Sequence, residues 1–377
     1  MKYFELIGSR IRSELNDLKR TPESASNELN FDLKDLKLIL DGKSSKAQIN
    51  FLIERMGEVY PIDVSDLYIL EDDCTSGVKI MTNKISAKTT RVFDRKNKNN
   101  SLGPYYEYRD SAMSKLGPFK PEWIKELRHV HDNDPMNPEV AYNNGHFLHQ
   151  LTFFIGPVNF YWKENGKCYC EEMNTGDSNY ITPFYPHSFT NRDSSKDAII
   201  IAVTFGGEVR RAQKEMYWLG PERVEKFKNI ARKNKSDFNP IIINKKNEKI
   251  KKNNFLVKNL ARPNHLDIAK GAELEILNSN TETQSFESPN HSFLYNYGDF
   301  KVSFNWEKNG IKQSYNLYPG DSVYIQPFIP YTFKNGESKN VKLIIYEVSG
   351  ALNGLAQSEL SYFPENNRLT NETKTWF

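Results

Sequence analysis

Three side chains in the segment NNGHFLHQ could bind a metal ion, and a fourth candidate follows in the segment PFYPHSF. His146 and Gln150 are four residues apart in a β-prone run, so an extended backbone places them on one face and His149 on the other. We therefore expect His149 to pack against another surface, and His187 to be the third ligand if the fold brings its turn nearby. Two histidines and one oxygen donor that leave positions open are typical of non-haem Fe(II) sites, although these residues alone do not exclude Mn, Ni or Co.

Short β-prone runs must position these residues. The runs KIMTNKI, LTFFIGPVNFYW and KDAIIIAVTF are separated by turns such as Asn165-Gly166 and Gly176-Asp177. This pattern is typical of an antiparallel barrel or sandwich, so we predict a mainly β fold.

The β-rich part of the chain contains an internal repeat. GDSNYITPFYPHSF returns as GDSVYIQPFIPYTF and FYWKENG returns as FNWEKNG, both at the offset of 144 residues that joins Gly176 to Gly320. Applied to the candidate ligands, the same offset pairs His146 with Asn290, Gln150 with Leu294 and His187 with Tyr331. All three candidates are lost together in the second copy, which indicates that they serve chemistry rather than the fold.

The first part of the chain is predicted to be helical. Apolar residues recur at helical spacing over residues 3–43, with Thr21-Pro22 at the start of a second helix and Asn30 near its end. A further helix is expected from about Ala47 to Met56. Short helices in this order resemble the helix-turn-helix domains of small repressors.

Charge and cysteine content narrow the class of protein. The 377 residues include 51 Lys and Arg against 48 Asp and Glu, a net charge of +3, which is too balanced to indicate a nucleic-acid or membrane surface. No apolar run approaches the roughly 18 residues that span a bilayer, and MKYFELIGSR lacks a signal-peptide core, so we expect a cytoplasmic protein, compatible with a homo-oligomer. Cys74, Cys168 and Cys170 lack zinc-site spacing and are expected to be free thiols.

By these residues the chain resembles the cupin family, and within it the iron-dependent phosphonate oxygenases. The resemblance rests on a helix-turn-helix domain before the barrel, the tyrosines of YYEY, Asn143 three residues before the first ligand, and GDSNYITPFYPHSFTN as the second cupin motif. It implies tandem cupin domains, which are double-stranded β-helix or jelly-roll barrels, preceded by a small helical domain. The predicted division is a helix-turn-helix-like helical domain at 1–65, a catalytic cupin domain at 66–209, a basic helical connector at 210–262 and a degenerate second cupin domain at 263–377.

Departures among the ligands separate the members of this family. The hydroxyethylphosphonate dioxygenases carry a carboxylate ligand at the place of Ile181, and the hydroxypropylphosphonate epoxidases carry a glutamate at the place of Gln150. The methylphosphonate synthases have a glutamine and an aliphatic residue at these places, so the chain is most similar to them.

This resemblance implies an enzyme that uses Fe(II) and dioxygen, without 2-oxoglutarate. The implied reaction is oxidative cleavage of the carbon-carbon bond of 2-hydroxyethylphosphonate to methylphosphonate and carbon dioxide. The alternative with the same site is a dioxygenase that gives hydroxymethylphosphonate and formate.

The resemblance also implies residues for the phosphonate substrate. In the family a lysine before the second helix of the helix-turn-helix reaches the active site, and Lys19 occupies that place, so Lys19 and Gln150 are implied to take part in catalysis. The residues implied to bind the phosphonate are Tyr105, Tyr108, Asn143 and an upstream arginine, either Arg95 or Arg91, because the segment before the tyrosines holds an insertion. Cations and oriented donors of this kind suit a phosphonate dianion.

A different class of function is a transcriptional regulator whose barrel senses a ligand. The segment FDLKDLKLILDG would be its recognition helix, but Asp32, Asp35 and Asp41 cancel the lysines there. A surface that binds DNA phosphates should be basic, so DNA is not an expected partner.

Overall fold

A computed structural model describes residues 3–233, 239–264, 267–279 and 281–362. The chain divides into a helical unit of residues 1–73 with 353–377 and a β-rich unit of residues 74–352. The helices are α1 (Tyr3–Asp17), α2 (Pro22–Leu29), α3 (Leu33–Leu40), α4 (Lys46–Val59), α5 (Asn83–Ala87), α6 (Glu208–Arg211), α7 (Gln213–Lys233) and α8 (Gly354–Leu360), with one turn of 3-10 helix at Val64–Leu67.

In the helical unit, α2 begins and ends where the sequence predicts. The Thr21 hydroxyl accepts a hydrogen bond from the Ser24 N–H at 3.1 Å, and Pro22 is the first residue of α2. Asn30 ends α2 in the left-handed region at φ 49°. The predicted succession of short helices is therefore confirmed, with α4 longer than expected at both ends.

A glycine sets how closely α1 and α3 approach. A Cβ on Gly8 would lie 2.4 Å from the carbonyl oxygen of Ile39, closer than two such atoms can come. The close contact lets Ile7, Ile11 and Leu36 pack in one buried core.

The β-rich unit contains two barrels, each made of a seven-stranded and a three-stranded sheet with antiparallel neighbours. The first barrel uses β2 (Arg91–Lys96), β3 (Leu102–Asp110), β4 (Phe119–Glu126), β5 (Leu148–Ile155), β6 (Val158–Glu164), β7 (Lys167–Met173), β8 (Ser178–Ile181), β9 (His187–Asn191), β10 (Ile199–Gly206) and β11 (Ile241–Asn244). The second uses β1 (Val78–Met81), β12 (Ile250–Lys252), β13 (Phe255–Asn259), β14 (Ala269–Ile276), β15 (His291–Asn296), β16 (Val302–Lys308), β17 (Ile311–Leu317), β18 (Ser322–Ile325), β19 (Tyr331–Lys334) and β20 (Val341–Val348). The predicted mainly β, tandem-barrel fold is confirmed.

The two large sheets pack face to face. In the first barrel the order is β11-β8-β5-β10-β4-β3-β2, and in the second it is β1-β18-β15-β20-β14-β13-β12. Side chains on alternate positions of these strands, such as Phe153, Val203, Phe293 and Tyr346, form one core shared by both sheets. The opposite positions line the interior of each barrel.

Two strands lie outside the segment of chain that forms the rest of their barrel. β1 precedes the first barrel in sequence but pairs with β18 of the second barrel, with Val78 opposite Ile325. β11 follows the first barrel and returns to it by pairing with β8, with Ile241 opposite Ile181. The four-segment division of the chain stays a prediction, and this exchange of β1 is a feature that it does not contain.

One predicted strand is shorter than the sequence suggests. The run KIMTNKI is a strand only as far as Met81, because the Thr82 hydroxyl then accepts the Ile85 N–H at 3.2 Å and begins α5. The β-prone residues after Thr82 therefore belong to a capped helix.

The internal repeat does not keep one offset throughout. β8 and β18 match at 144, yet Gln150 lies opposite Ile181 and Ser292 lies opposite Ile325, so β5 matches β15 at an offset of 142. The difference arises in the loop after each strand, which is residues 156–157 in the first barrel and the longer segment 297–301 in the second. The predicted pairs of His146 with Asn290 and Gln150 with Leu294 are therefore wrong.

Three further features concern α7 in the predicted connector, the cysteines, and whether any helix could span a membrane. α7 is kinked at Gly220, where φ is 71° and Pro221 follows. Within the described residues Cys74, Cys168 and Cys170 form no disulfide bond. Among the described residues no helix has the length and apolar character needed to span a membrane.

Candidate active site

Three candidate metal ligands meet at one end of the first barrel. His146 lies just before β5, Gln150 lies in β5 and His187 begins β9. The Nε2 atom of His146 is 3.4 Å from the Oε1 atom of Gln150. The His146 and His187 rings have centroids 5.2 Å apart and are nearly perpendicular, at 86°. These are two imidazoles and an amide oxygen gathered in one place.

Backbone contacts between two loops bring the histidines together. The Phe184 N–H donates to the His146 carbonyl at 2.9 Å, and the Asn143 N–H donates to the His187 carbonyl at 3.0 Å. Gly145 has φ 79°, and a Cβ there would lie 2.5 Å from the carbonyl carbon of Phe184. The loop that carries His146 can therefore approach the loop that carries His187 only because residue 145 is glycine.

His187 is held in the tautomer and orientation that a metal ligand needs. Its Nδ1–H donates to the Tyr185 carbonyl at 2.8 Å, which leaves the lone pair of Nε2 directed away from that carbonyl. Burial lowers the pKa of His187 to about 3, an effect that the Tyr185 hydrogen bond only partly opposes. The ring is therefore neutral at neutral pH, and its unprotonated Nε2 is the atom that could bind a metal.

The donor set fits a divalent metal such as Fe(II). His146, Gln150 and His187 supply two nitrogens and one oxygen around one cavity and leave further positions open. Among the described residues, no group of three His, Cys, Asp or Glu side chains could hold a metal. The amide oxygen of Gln150 is therefore the candidate third ligand beside the two histidines.

The ligands lie at a cavity of about 410 Å³ inside the first barrel. The polar residues along its wall are Arg95, Tyr106, Tyr108, Lys120, Glu122, Asn143, His146, Gln150, His187 and Thr204. Ile124, Ile200 and Ala202 form part of the apolar wall. The combination of cations, hydroxyls and an amide suits a small anionic ligand.

Arg95, and not Arg91, reaches this cavity. The Nη1 atom of Arg95 donates to the Ala141 carbonyl at 2.9 Å, and its guanidinium lies 4.7 Å from the centre of the Tyr106 ring. Arg91 pairs instead with Asp110 at 2.8 Å and is 42% exposed. Of the two arginines that the sequence left as alternatives, Arg95 is therefore the one that lines the cavity.

The tyrosines of YYEY divide between the cavity and the barrel core. Tyr106 and Tyr108, which are two residues apart on β3, line the cavity. Tyr105 is fully buried, accepts a hydrogen bond from the Ala141 N–H at 3.0 Å and shares one with the Ser188 hydroxyl at 2.8 Å. Of the two predicted tyrosines, therefore, only Tyr108 is brought to the cavity, and Tyr106 is there in addition.

Asn143 lines the cavity beside His187. Its Oδ1 accepts the N–H groups of Gly145 and His187, each at 2.9 Å. Because Oδ1 is engaged by these donors, Nδ2 is the atom that faces His187 Nε2, at 3.1 Å. The amide N–H₂ group of Asn143 therefore donates to the lone pair of His187 Nε2, the same lone pair that a metal would use.

Lys19 lies in the helical unit, between α1 and α2. It has φ 60°, which is uncommon for a residue with a side chain, and its Nζ lies 3.4 Å from the Asn16 carbonyl.

His149 faces away from the metal ligands, as its position in the strand predicts. Its Nδ1 is 2.7 Å from the Tyr180 hydroxyl, and its ring stacks on Phe205 with centroids 5.1 Å apart. The second barrel repeats this arrangement, because His291 Nδ1 is 2.7 Å from the Tyr324 hydroxyl. A histidine that recurs with the same partner in a barrel without the ligands serves the fold.

A carboxyl group that sequence reasoning missed lies beside the cavity. Glu126 follows Glu122 and Ile124 on the same face of β4, is 1% exposed, and neither of its carboxyl oxygens has a hydrogen-bond partner among the described residues. Burial raises the pKa of Glu126 well above its usual value, although nearby Arg95 opposes this. Burial also raises the pKa of Tyr108.

The second barrel shows what the fold requires without the ligands. The strand registers place Ser292 at the position of Gln150, and Tyr331 at the position of His187. A cavity of about 470 Å³ remains, lined in part by Phe255, Val257 and Leu274 from the strands that correspond to β3 and β4. The Phe328 N–H donates to the Ser288 carbonyl as the Phe184 N–H donates to the His146 carbonyl, so Ser288 takes the position of His146. All three candidate ligands are therefore replaced in the second barrel, and the joint loss inferred from the sequence holds with the corrected pairs.

The chain is similar to several known proteins, although no protein-family model matches it. A methylphosphonate synthase from Nitrosopumilus maritimus is 34% identical over an alignment that covers 100% of this chain and 96% of that protein. A Streptomyces albus hydroxyethylphosphonate dioxygenase, solved with 2-hydroxyethylphosphonate and Fe(II) bound, superposes with a TM-score of 0.87 and 26% identity over 100% of this chain and 99% of its own. PhpD with cadmium atoms shares the fold, with a TM-score of 0.69 and 15% identity over 99% of this chain and all of its own. The chain belongs to the methylphosphonate synthase family.

Proposed function

We propose that this protein uses Fe(II) and dioxygen to convert 2-hydroxyethylphosphonate to methylphosphonate. The observation that carries the proposal is the meeting of His146, His187 and the Gln150 amide oxygen at one cavity, with the hydrocarbon side chain of Ile181 opposite Gln150. The identity to the methylphosphonate synthase supports the reaction, and the dioxygenase structure with 2-hydroxyethylphosphonate and Fe(II) supports the substrate and metal.

His146, Gln150 and His187 are the residues that would hold the iron. Fe(II) bound there supplies the redox centre at which dioxygen and the substrate react. The hydrogen bond from His187 Nδ1–H to Tyr185 fixes the ring that donates Nε2. Because Gln150 is neutral, the site keeps one more positive charge than a site with glutamate, which favours an anionic substrate.

The residues proposed to bind the phosphonate are Arg95, Tyr108 and Asn143. The planar guanidinium of Arg95 can donate to two phosphonate oxygens, and the stacking on Tyr106 and the bond to Ala141 hold it in place. The Tyr108 hydroxyl keeps its proton because burial raises its pKa, so it remains a hydrogen-bond donor. The Asn143 amide adds a donor beside His187. Tyr105 takes no part in this proposal because Ser188 and Ala141 occupy its hydroxyl.

Lys19 is proposed to assist catalysis as a cation. A left-handed residue with a side chain costs about 1 kcal/mol relative to glycine, so glycine should be more stable than lysine at this position. Lys19→Gly should therefore leave the unfolding temperature unchanged or raise it while turnover falls. A variant that loses stability and activity together would assign Lys19 a structural role.

The reaction balances without a further reductant. One 2-hydroxyethylphosphonate and one dioxygen give one methylphosphonate, one carbon dioxide and one water. The substrate therefore supplies all the electrons that dioxygen accepts, and no 2-oxoglutarate is required. The carbon-carbon bond breaks, the hydroxyl-bearing carbon is oxidised, and the carbon bonded to phosphorus ends as a methyl group.

A second outcome at the same site is supported by the likeness to the hydroxyethylphosphonate dioxygenase structure. The same substrate and one dioxygen would then give hydroxymethylphosphonate and formate, which also balances. Phosphorus NMR of the Fe(II)-loaded protein, incubated in air with 2-hydroxyethylphosphonate and no reductant, separates the two. Methylphosphonate supports the proposal, hydroxymethylphosphonate supports the alternative, and unchanged substrate with iron bound overturns both.

Arg95 and Arg91 form a matched pair for testing the phosphonate site. Arg95→Lys removes the two-pronged donor at the cavity, so the KM for 2-hydroxyethylphosphonate should rise about 10-fold or more, as expected when a charge-assisted contact is lost. Arg91→Lys keeps a cation beside Asp110 and should leave KM within about twofold. Equal effects of the two substitutions would argue against the assignment of Arg95.

The expectation that the protein does not bind DNA stays a prediction. In α3 the Asp32 carboxylate caps the helix by accepting from Lys34 N–H, and Lys37 pairs with Glu23 at 2.9 Å. A salt-dependent shift of duplex DNA in a gel would contradict the expectation.

A further inference from the structure

The Gln150 amide has two ends of nearly the same shape and different chemistry. Its Oε1 faces His146, and its Nε2–H donates to the Thr152 hydroxyl oxygen at 3.0 Å. Gln150 and Thr152 are two residues apart on β5, so their side chains share the interior face of the barrel. Thr152 is fully buried, with 0% of its surface exposed.

Only one end of this amide can bind a metal. The oxygen carries free lone pairs, whereas the nitrogen carries two hydrogens and its lone pair is delocalised into the amide. A carboxylate has an oxygen at both positions, so a glutamate ligand can bind a metal through oxygen in either orientation. An amide ligand needs an interaction that fixes its orientation, since a rotation of half a turn about its last side-chain bond replaces the donor oxygen with N–H groups.

Because Thr152 is buried, its hydroxyl can fix the orientation of the Gln150 amide. The Gln150 N–H that points into the barrel must find an acceptor, because a buried N–H without one is unfavourable. The Thr152 oxygen is that acceptor, and satisfying it turns Gln150 Oε1 toward His146.

The internal duplication shows that the barrel does not require this hydroxyl. At the offset of 142 that relates β5 to β15, Gln150 corresponds to Ser292 and Thr152 corresponds to Leu294. Leu294 is also fully buried, within the apolar core of the second barrel. The barrel that lacks the amide thus fills the place of the hydroxyl with hydrocarbon.

We propose that Thr152 is a positioning residue that directs the amide oxygen of Gln150 toward the metal. This inference rests on the proposed metal site at His146, Gln150 and His187. It predicts that removing the Thr152 hydroxyl weakens metal binding, although Thr152 itself does not touch the metal.

The test is a titration of the metal-free protein with Co(II), read from its visible absorption bands and without substrate or dioxygen. Thr152→Val keeps the shape and removes the hydroxyl, and it should weaken Co(II) binding about 10- to 100-fold and alter the bands. Thr152→Ser keeps the hydroxyl and should bind within about threefold of the unchanged protein, allowing for the lost methyl group. If Thr152→Val does not fold, Thr152→Ala against Thr152→Ser provides a comparison in which only the oxygen differs.

Thr190→Val is the matched control. Thr190 is also a fully buried strand threonine, and its hydroxyl lies 3.2 Å from the Tyr161 hydroxyl, away from the ligands. This variant should lose stability and keep its Co(II) affinity and spectrum. Unchanged affinity and bands in a folded Thr152 variant without the hydroxyl would overturn the role of Thr152. Failure of the unchanged protein to bind Co(II) would instead overturn the proposed metal site.

Discussion

Glu126→Gln should remove one contribution by which rising pH lowers the stability of this protein. Glu126 is buried without a hydrogen-bond partner for either oxygen among the described residues, and burial raises its pKa well above the usual 4.5. The folded protein therefore holds a proton that the unfolded chain releases once the pH exceeds about 4.5. It follows that stability falls as pH rises from that value until the carboxyl ionises in the folded state.

The expected slope follows from the release of one proton. Each pH unit in this range lowers the free energy of unfolding by up to about 1.4 kcal/mol, so two units correspond to about 2.7 kcal/mol. Glutamine does not titrate and keeps nearly the same volume. Near pH 5 the Glu126→Gln variant should equal the unchanged protein or be slightly less stable, and near pH 8 it should be the more stable of the two.

Urea unfolding at several pH values from 5 to 8.5, followed by circular dichroism, measures this crossing. Glu122→Gln is the control on the same face of β4. Burial raises the pKa of Glu122 too, but Arg91 and Lys120 oppose the effect, so its slope should be smaller. Parallel curves for Glu126→Gln and the unchanged protein would show that Glu126 is ionised in the folded state, and the reasoning from its burial would fail.

Three further substitutions test the packing around the site. Lys258→Met removes the cation that lies 2.9 Å from the buried Glu273 carboxylate, and it should lower the free energy of unfolding by about 3 kcal/mol in urea titrations. Burial raises the pKa of Glu273, but the hydrogen bonds from Lys258 and Tyr297 outweigh burial and leave the pKa below its usual value. The loss of stability should therefore be seen above pH 4.5 and fade in acid. His149→Phe should cost about 1 kcal/mol through the lost Tyr180 hydrogen bond and leave the iron content per chain unchanged; loss of iron would assign His149 to the metal site. Gly145→Ala should lower stability by about 1–3 kcal/mol and weaken Co(II) binding, because the added Cβ displaces the loop before β5; unchanged binding would contradict the proposed role of this close approach.

The parts of the fold that follow from local chemistry could be predicted from the sequence. The start of α2 depends on the Thr21 hydroxyl and the fixed φ of Pro22, both of which are visible in the residues themselves. The separation of His149 from His146 and Gln150 follows from strand alternation, and the structure shows it. The strand lost after Met81 shows the limit of this approach, since Thr82 can extend a strand as readily as it caps a helix.

The parts that depend on distant residues could not be predicted in this way. The longer loop of residues 297–301 shifts β15 by two residues relative to β5, and the motifs on which the offset was based lie beyond that loop. Alternation along β3 shows that Tyr105 and Tyr106 face opposite ways but does not say which of them faces the cavity. Glu126 carries no sequence signal, because a glutamate at the end of a strand is usually exposed.

The pairing of β1 with β18 has a consequence for synthesis of the chain. Val78 leaves the ribosome well before Ile325, its partner, so β1 must remain unpaired while both barrels are being made. The second barrel lacks the metal ligands and nevertheless supplies the only pairing partner recorded for β1 among the described strands. A ribosome-bound chain that stops before residue 322 should therefore keep an open strand edge, sensitive to proteases and to chaperone binding, until β18 is synthesised.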